Sequence, residues 1–497
     1  MGYRGYGLPV NELISEGHTF KSDTDSEVIP HLIESQLSLG FDLKRSIRNV
    51  ANKIMGAHAV VIISKKAPDA IIAFKKGNAG GIVIGETQNG MIIASALPAI
   101  LPYTRQVNYL ESNEIAYITP KSTTYESLDG IHIEKTVQAI PYDPISAVKG
   151  KYKHLMMKEI AEQPEATIAT LGGRLSFESL SVNLDEISIT ESQIKKINRV
   201  IFIGMGTSYN ASMVGKHMME QLAGIHSEAE NASEFRYNRP LLGKDTIVIS
   251  ISQSGETADT LAAMSMAKEQ GAYVINICNT EGSQSNRISD ETLYLRAGPE
   301  IGVASTKTYI CSLEAIYLLA IDFGSKTRHL NQNQVKEALN SLSRLPDMIG
   351  KILANNNPYI ELADKFYRKT NFLFLGRGIN YPTALEGALK LKEISYIHSE
   401  GCAAGEMKHG PIALIDENMP VLAIATKDEL YDKMLNNIAE VKARGGTVIA
   451  LATKGDTNIA DLADEVVYIP AIDYLLTPIL AVVPLSLIHI SEPTRLG

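Results

Sequence analysis

From Arg199 onward, short apolar runs alternate with longer mixed segments, and small or polar residues separate them. Arg199–Ile203 predicts a strand, followed by Gly204-Met205-Gly206-Thr207-Ser208 and a helix to about Leu222. Thr246–Ile251 predicts a second strand, then a Ser/Gly turn and a helix from about Ala258 to Gln270, closed by Gly271. Ala272–Cys278 predicts a third. This succession indicates a parallel sheet with helices on both faces.

The pattern then repeats. Asn371–Leu375, Gly376-Arg377-Gly378 and a helix from about Pro382 to Ile397 mirror the Gly204 segment. Pro420–Ala425 and a helix near Glu429–Arg444 mirror the Thr246 segment, and Thr447–Ala452 adds a strand. The expectation is two copies of one α/β domain, joined near residues 325–355. The second copy has Thr426-Lys427-Asp428-Glu429 where the first has its Ser-rich turn, so one phosphate seat is expected, not two. Before residue 140 the pattern is shorter: strand candidates Ala57–Ser64, Ala70–Ala73, Gly81–Ile84 and Met91–Ala94 follow helical candidates Ser26–Leu39 and Leu43–Met55. Residues of roughly 145–195 read as a connector.

Composition narrows the partners. The 497 residues suit about three domains. A net charge of −9 argues against nucleic acid or an anionic membrane as main partner. No run of about 18 apolar residues is present, and Met1–Tyr6 lacks the apolar core of a signal peptide, so a cytoplasmic protein is expected. Cys278, Cys311 and Cys402 read as structural thiols. No clustered His/Cys spacing supports a metal site, and neither metal nor cofactor is expected.

Ser252-Gln253-Ser254-Gly255-Glu256-Thr257 falls where a buried strand meets a helix. Unpaired backbone N–H groups and the positive helix end favour an anion there, and Ser252, Ser254 and Thr257 add hydroxyl donors. An ordinary capped helix is the plainer reading, but three hydroxyls with Gly and Gln on one turn favour a phosphate seat, at the strand end where open α/β sheets bind ligands. Gly206-Thr207-Ser208 could line the same crevice. Gly302–Lys307 reads equally well as a ligand loop or a plain capped loop.

Glu386, Lys390 and Glu393 recur at i, i+4 and i+7 on one predicted helix face. That spacing fits a solvated charge stripe as well as proton chemistry, in which a carboxylate reaches two adjacent sugar carbons and a lysine supports developing oxyanion charge. His409, in Lys408-His409-Gly410-Pro411, is either incidental or a proton relay for ring opening.

Together, Gly206-Thr207-Ser208-Tyr209-Asn210, Ala232–Tyr237, Ser252–Thr260, Ile301–Lys307, Phe374–Gly378, Leu385–His398, Ala403–Glu406 and Lys408–Pro411 resemble the isomerising glutamine–fructose-6-phosphate aminotransferases, from about Gly17 to Pro484. The resemblance implies an α/β fold: two tandem sugar-isomerase (SIS) domains with parallel sheets flanked by helices, preceded by a partial α+β Ntn-type glutaminase domain. Implied bounds are 1–145 for the glutaminase part, 146–195 for the connector, 196–330 and 355–485 for the SIS domains, and 486–497 for an unrelated tail. The implied reaction takes fructose 6-phosphate and glutamine to glucosamine 6-phosphate and glutamate, the first step of hexosamine biosynthesis. By the same match, Ser252, Gln253, Ser254 and Thr257 hold phosphate, with Thr207 and Ser208 beside them, and Val303 and Ser305 contact sugar. Glu393 is the base, Lys390 its supporting lysine, and His409 opens the ring of a sugar in the neighbouring subunit, which implies a homodimer. Asp25, in Ser22–Ile29, receives the glutamine α-amino group.

The match is incomplete at both ends. The family's glutaminase half begins with a nucleophilic cysteine, whereas Met1-Gly2-Tyr3-Arg4-Gly5-Tyr6 lacks one and no cysteine precedes Cys278. The family's tail supplies a Schiff-base lysine, whereas no lysine follows Lys454, and Ser486–Gly497 reads as an artefactual tail. The expectation is a chain impaired in both glutaminase and amination steps. Two other readings use the same residues: a non-catalytic sugar-phosphate binder, and an ammonia-dependent sugar-phosphate isomerase or deglycase. The Asp25 segment favours the synthase over the isomerase.

Overall fold

Runs of Ile, Val and Leu that end in small residues form the middle of two five-stranded parallel sheets. The computed structural model describes residues 10–77, 79–95, 97–139, 150–355 and 357–491. Residues 1–6 and 492–497, on which two of the sequence expectations rest, lie outside it. The chain divides into two compact units at residues 146 and 147.

In the second unit, the first sheet runs His226–Asn231, Arg199–Gly204, Thr246–Ser252, Tyr273–Cys278 and Glu291–Tyr294 from edge to edge, all parallel. The second sheet has the same order: His398–Ala403, Asn371–Gly376, Pro420–Ala425, Thr447–Thr453 and Glu465–Ile469. Strands Thr246–Ser252 and Pro420–Ala425 are buried along their whole length, as helix layers on both faces require. In each sheet the strand after the first helix takes an outer place: Arg199 pairs with His226 in one, and Asn371 with His398 in the other. Both outer strands begin His-Ser-Glu. Their polarity explains why the apolar pattern does not predict them.

Helix Lys307–Thr327 is buried over most of its length and packs against helix Thr207–Ala223. It carries Glu314, which is fully buried and has no hydrogen-bond partner on either carboxylate oxygen among the described residues. Burial raises its pKa to about 8 from 4.5. The raised folded-state pKa contributes stability that is complete below pH 4.5 and lost as pH climbs towards 8. Glu314→Gln is therefore expected to gain on the parent protein between these limits by about 1.4 kcal/mol per pH unit. Below pH 4.5 the gap becomes constant. Urea unfolding at a series of pH values checks this.

The residues read as a connector carry helices Leu155–Ala161 and Gln163–Leu171, which belong to the second unit. Helix Thr477–Ser491 runs past residue 485, with Ser486 and Ile488 buried, and packs on helix Asn380–Ser395. No helix among the described residues is long and apolar enough to cross a membrane.

The first unit layers two helices on two antiparallel sheets. Val28–Ser38 and Leu43–Lys53 set Val28, Leu32, Ile47 and Val50 against Ile72, Phe74 and Ile115. The Asp42 side chain caps the second helix by accepting from the Arg45 N–H at 2.9 Å. Ala73, Ala116 and Ile118 on the other face of that sheet meet Ile82 and Ile84 near the second.

Candidate active site

The strand order decides where a ligand can enter. Strands Arg199–Gly204 and Thr246–Ser252 are neighbours, yet their helices lead to opposite edges of the sheet. Their carboxyl ends meet at the topological switch point, the place where open α/β sheets hold ligands in a crevice. Both predicted turns lie there. Helix Thr207–Ala223 starts at Thr207 after Gly206 (φ 54°), which sets its N-terminus at that end of the sheet, and the Ser208 N–H donates back to the Met205 carbonyl at 3.0 Å.

On the neighbouring strand, Ser252 Oγ accepts from the Gly255 N–H at 2.9 Å, which folds the turn tightly. Gly255 has φ 69°, and a Cβ there would fall 2.1 Å from Ser283 Oγ and 2.5 Å from Ser285 Oγ. Ser283 and Ser285 are held by each other at 3.0 Å, while Ser285 also accepts from Asn276 Nδ2 at 2.9 Å. Only glycine fits this floor. Thr257 is exposed just before helix Ala258–Glu269. The described arrangement brings Ser252, Gln253, Ser254, Thr207 and Ser208 to one end of the sheet.

Gln253 links that turn to the third predicted segment, since its Nε2 donates to the Glu300 carbonyl at 3.1 Å. Glu300, buried, accepts from the Thr306 N–H at 2.8 Å and from the Thr308 hydroxyl. Glu159 accepts from the N–H groups of Ile301 (2.6 Å) and Gly302 (2.9 Å). Its pKa is raised because burial outweighs these two hydrogen bonds. The loop is thus clamped from beneath, and Val303 is left 95% exposed at its crest. Ser305 Oγ is 2.6 Å from Thr308 Oγ1. Neither Glu159 nor Glu300 was anticipated; both act on backbone groups far away in sequence or in an irregular loop.

Helix Asn380–Ser395 supplies the charged face. Glu386 and Lys390 are 0% and 1% exposed, so these two do not form the solvated stripe that their spacing also allowed. Glu386 accepts from Thr207 Oγ1 at 3.0 Å and from Asn210 Nδ2 at 2.8 Å, and lies 3.4 Å from Lys390 Nζ. Lys390 Nζ also donates to Glu393 Oε2 at 2.8 Å. Burial pulls the Lys390 pKa down, but Glu386 and Glu393 outweigh it and the net shift is upward. The lysine therefore stays an ammonium. Glu393, one-third exposed, presents its carboxyl group beside that ammonium. Asn210 was missed as a site residue. It lies three residues after Thr207 on the same helix face, a spacing that could have signalled it.

The equivalent switch point in the second sheet is filled by the protein. Tyr474 Oη accepts from the Ile379 N–H at 3.0 Å, at the start of helix Asn380–Ser395. Asn380 Nδ2 donates to Thr426 Oγ1 at 2.9 Å, which in turn donates to Asp428 at 3.0 Å. A hydroxyl and a carboxylate stand where an anion would need open donors.

His409, exposed on the short helix Glu406–His409, takes no part in the Lys390 network. In the first unit, Asp25 is exposed at the turn Asp25–Glu27.

Residues 193–322 and 365–490 each match the model for the SIS domain, and residues 9–102 match that for a glutamine amidotransferase domain. The class is therefore a glutamine amidotransferase unit followed by a tandem SIS unit. Among relatives, the glutamine–fructose-6-phosphate aminotransferase [isomerizing] of Caldanaerobacter subterraneus subsp. tengcongensis is 44% identical over 482 residues, 97% of this chain and 78% of its own. That of Aquifex aeolicus is 44% identical over 487 residues, 98% and 78% of the two chains. A solved structure, the C-terminal domain of glucosamine-fructose-6-phosphate aminotransferase from Francisella tularensis, superposes with a TM-score of 0.66 at 37% identity, covering 69% of this chain and 97% of that one. Tagatose-6-phosphate ketose/aldose isomerase from Escherichia coli shares the fold at 19% identity and a TM-score of 0.57 over 68% of this chain and 92% of its own. This chain belongs to the isomerising glutamine–fructose-6-phosphate aminotransferase family.

Proposed function

We propose that this chain binds fructose 6-phosphate at the first switch point and directs it towards glucosamine 6-phosphate with nitrogen from glutamine. The observation that carries this reading is the bond from Thr207, on the phosphate-side helix, to Glu386, on the helix of Glu393. One hydroxyl thus couples the seat of the phosphate to the helix of the base.

In this scheme the phosphate sits on the Ser252–Thr257 turn with Thr207 and Ser208, held by N–H and hydroxyl donors. Ser305 and the crest of its loop at Val303 meet the sugar. Ammonia released by hydrolysis of glutamine condenses with the C2 carbonyl with loss of water, and Glu393 then takes the proton from C1 and returns it to C2; without ammonia the same transfer runs through an enediolate, whose oxygen charge the Lys390 ammonium stabilises. Asp25 receives the α-amino group of glutamine. His409 opens the ring in the site of a second copy, so the working form is a homodimer.

Two experiments test this. Incubation with fructose 6-phosphate in deuterated water is expected to exchange the C1 proton, followed by NMR; absence of exchange despite sugar binding removes the catalytic part and leaves a binder. Co-expression of His409→Ala with Glu393→Gln chains is expected to restore activity that each lacks alone. No restoration excludes a site shared between subunits.

A further inference from the structure

Helix Val10–Ser15 ends at Gly17, whose φ of 94° turns the chain back so that the His18 N–H donates to the Leu13 carbonyl at 3.0 Å. That return carries His18 to His31 and Glu34, which lie three residues apart on one face of helix Val28–Ser38. The Nδ1 atoms of the two histidines are 3.0 Å apart. Glu34 Oε2 is 3.5 Å from His18 Nδ1 and 3.8 Å from His31 Nδ1. A point equidistant from these three atoms lies about 2.0 Å from each, the length of a zinc–nitrogen or zinc–oxygen bond.

The outer nitrogens are also accounted for. His31 Nε2 faces Glu27 Oε1 at 3.6 Å, and His18 Nε2 faces Glu16 Oε2 at 3.9 Å. Both carboxylates are anchored. Glu27 accepts from the N–H groups of Lys21 and Ser22, each at 2.7 Å, and Glu16 accepts from Ser35 Oγ at 2.7 Å. With the proton of each ring on Nε2, towards its outer carboxylate, the two Nδ1 lone pairs converge with the Glu34 carboxylate on one point that a cation can occupy; an Nδ1–H···Nδ1 hydrogen bond is the competing arrangement of the same 3.0 Å contact. An outer carboxylate beside each ring is the usual support for a metal-ligating histidine. The imidazoles are 13% and 16% exposed, and Phe20 packs on His31 with centroids 4.4 Å apart. Glu34 is 67% exposed, which leaves the ion a way in and a position for water.

We propose that His18, His31 and Glu34 form a binding site for one divalent transition-metal ion of the zinc class, with the fourth position open to water. Sequence spacing does not announce it, because the two histidines are thirteen residues apart and brought together by the turn at Gly17. The ion would fasten the loop between His18 and Glu27, which carries Asp25, to the helix behind it. This inference is independent of the sugar-phosphate reading.

The test uses the full chain, stripped with a chelator and titrated with Zn²⁺ or Co²⁺. One equivalent is expected to bind, with the cobalt form giving the intense visible bands of a four-coordinate site. Glu34→Gln, a change at an exposed side chain, is expected to weaken zinc by more than about tenfold. His31→Ala should abolish the cobalt bands. Less than one equivalent in the parent protein overturns the proposal. So does binding that survives both variants, as exposed histidines such as His226 beside Glu220 and Glu228 would give. A proton held between the two Nδ1 atoms, detected by NMR with zinc in excess, would overturn it as well.

Discussion

Glu393→Gln is expected to lower the rate of C1 proton exchange from fructose 6-phosphate by about 10²–10⁴-fold, the range that one positioned acid–base group contributes. The amide keeps the shape and the hydrogen bond to Lys390 but cannot accept the proton. Affinity for the sugar phosphate should change little, because the proposed phosphate seat is the other domain's turn. Exchange and binding measured on the same variant separate the two. A variant that exchanges at the parent rate would remove Glu393 from the proposed chemistry, and one that loses binding would make it a structural residue.

The second large effect concerns stability. Lys390→Met removes the only cation paired with the buried Glu386 carboxylate among the described residues. Breaking a buried pair from one side costs about 3–5 kcal/mol, because the remaining charge is uncompensated. The Thr207 and Asn210 donors offset part of that loss without neutralising the charge. Glu386→Gln in the Lys390→Met background should recover much of the stability, since both charges are then gone. Chemical denaturation of the single and double variants checks this, and equal stability of Lys390→Met and the parent protein would contradict it.

The parts legible in sequence share a physical origin. The central strands are long apolar runs because helices cover both faces, and the turns are marked by glycine, serine and threonine because backbone and side chains approach closely there. The outer strands His226–Asn231 and His398–Ala403 carry no such mark. Being polar, they are defined by their neighbours, Arg199–Gly204 and Asn371–Gly376.

The charges on helix Asn380–Ser395 were ambiguous for a different reason: burial of Glu386 and Lys390 depends on Thr207 and Asn210. Those residues lie more than 170 positions earlier in the chain, and no periodicity reports them. Glu159 and Glu300, which fix the loop of Val303 and Ser305, were hidden likewise. The difference of the second domain's turn was legible from Thr426–Glu429, whereas the tyrosine that accepts from the Ile379 N–H there, Tyr474, was not.

The central proposal is a single phosphate seat, at the Gly255 turn, in two domains of one fold. Calorimetric titration with fructose 6-phosphate tests it most directly. The predicted result is one sugar phosphate per chain, with Gly255→Ala losing more than about tenfold in affinity (~1.4 kcal/mol). Binding of two equivalents, or of one equivalent unaffected by Gly255→Ala, would contradict it.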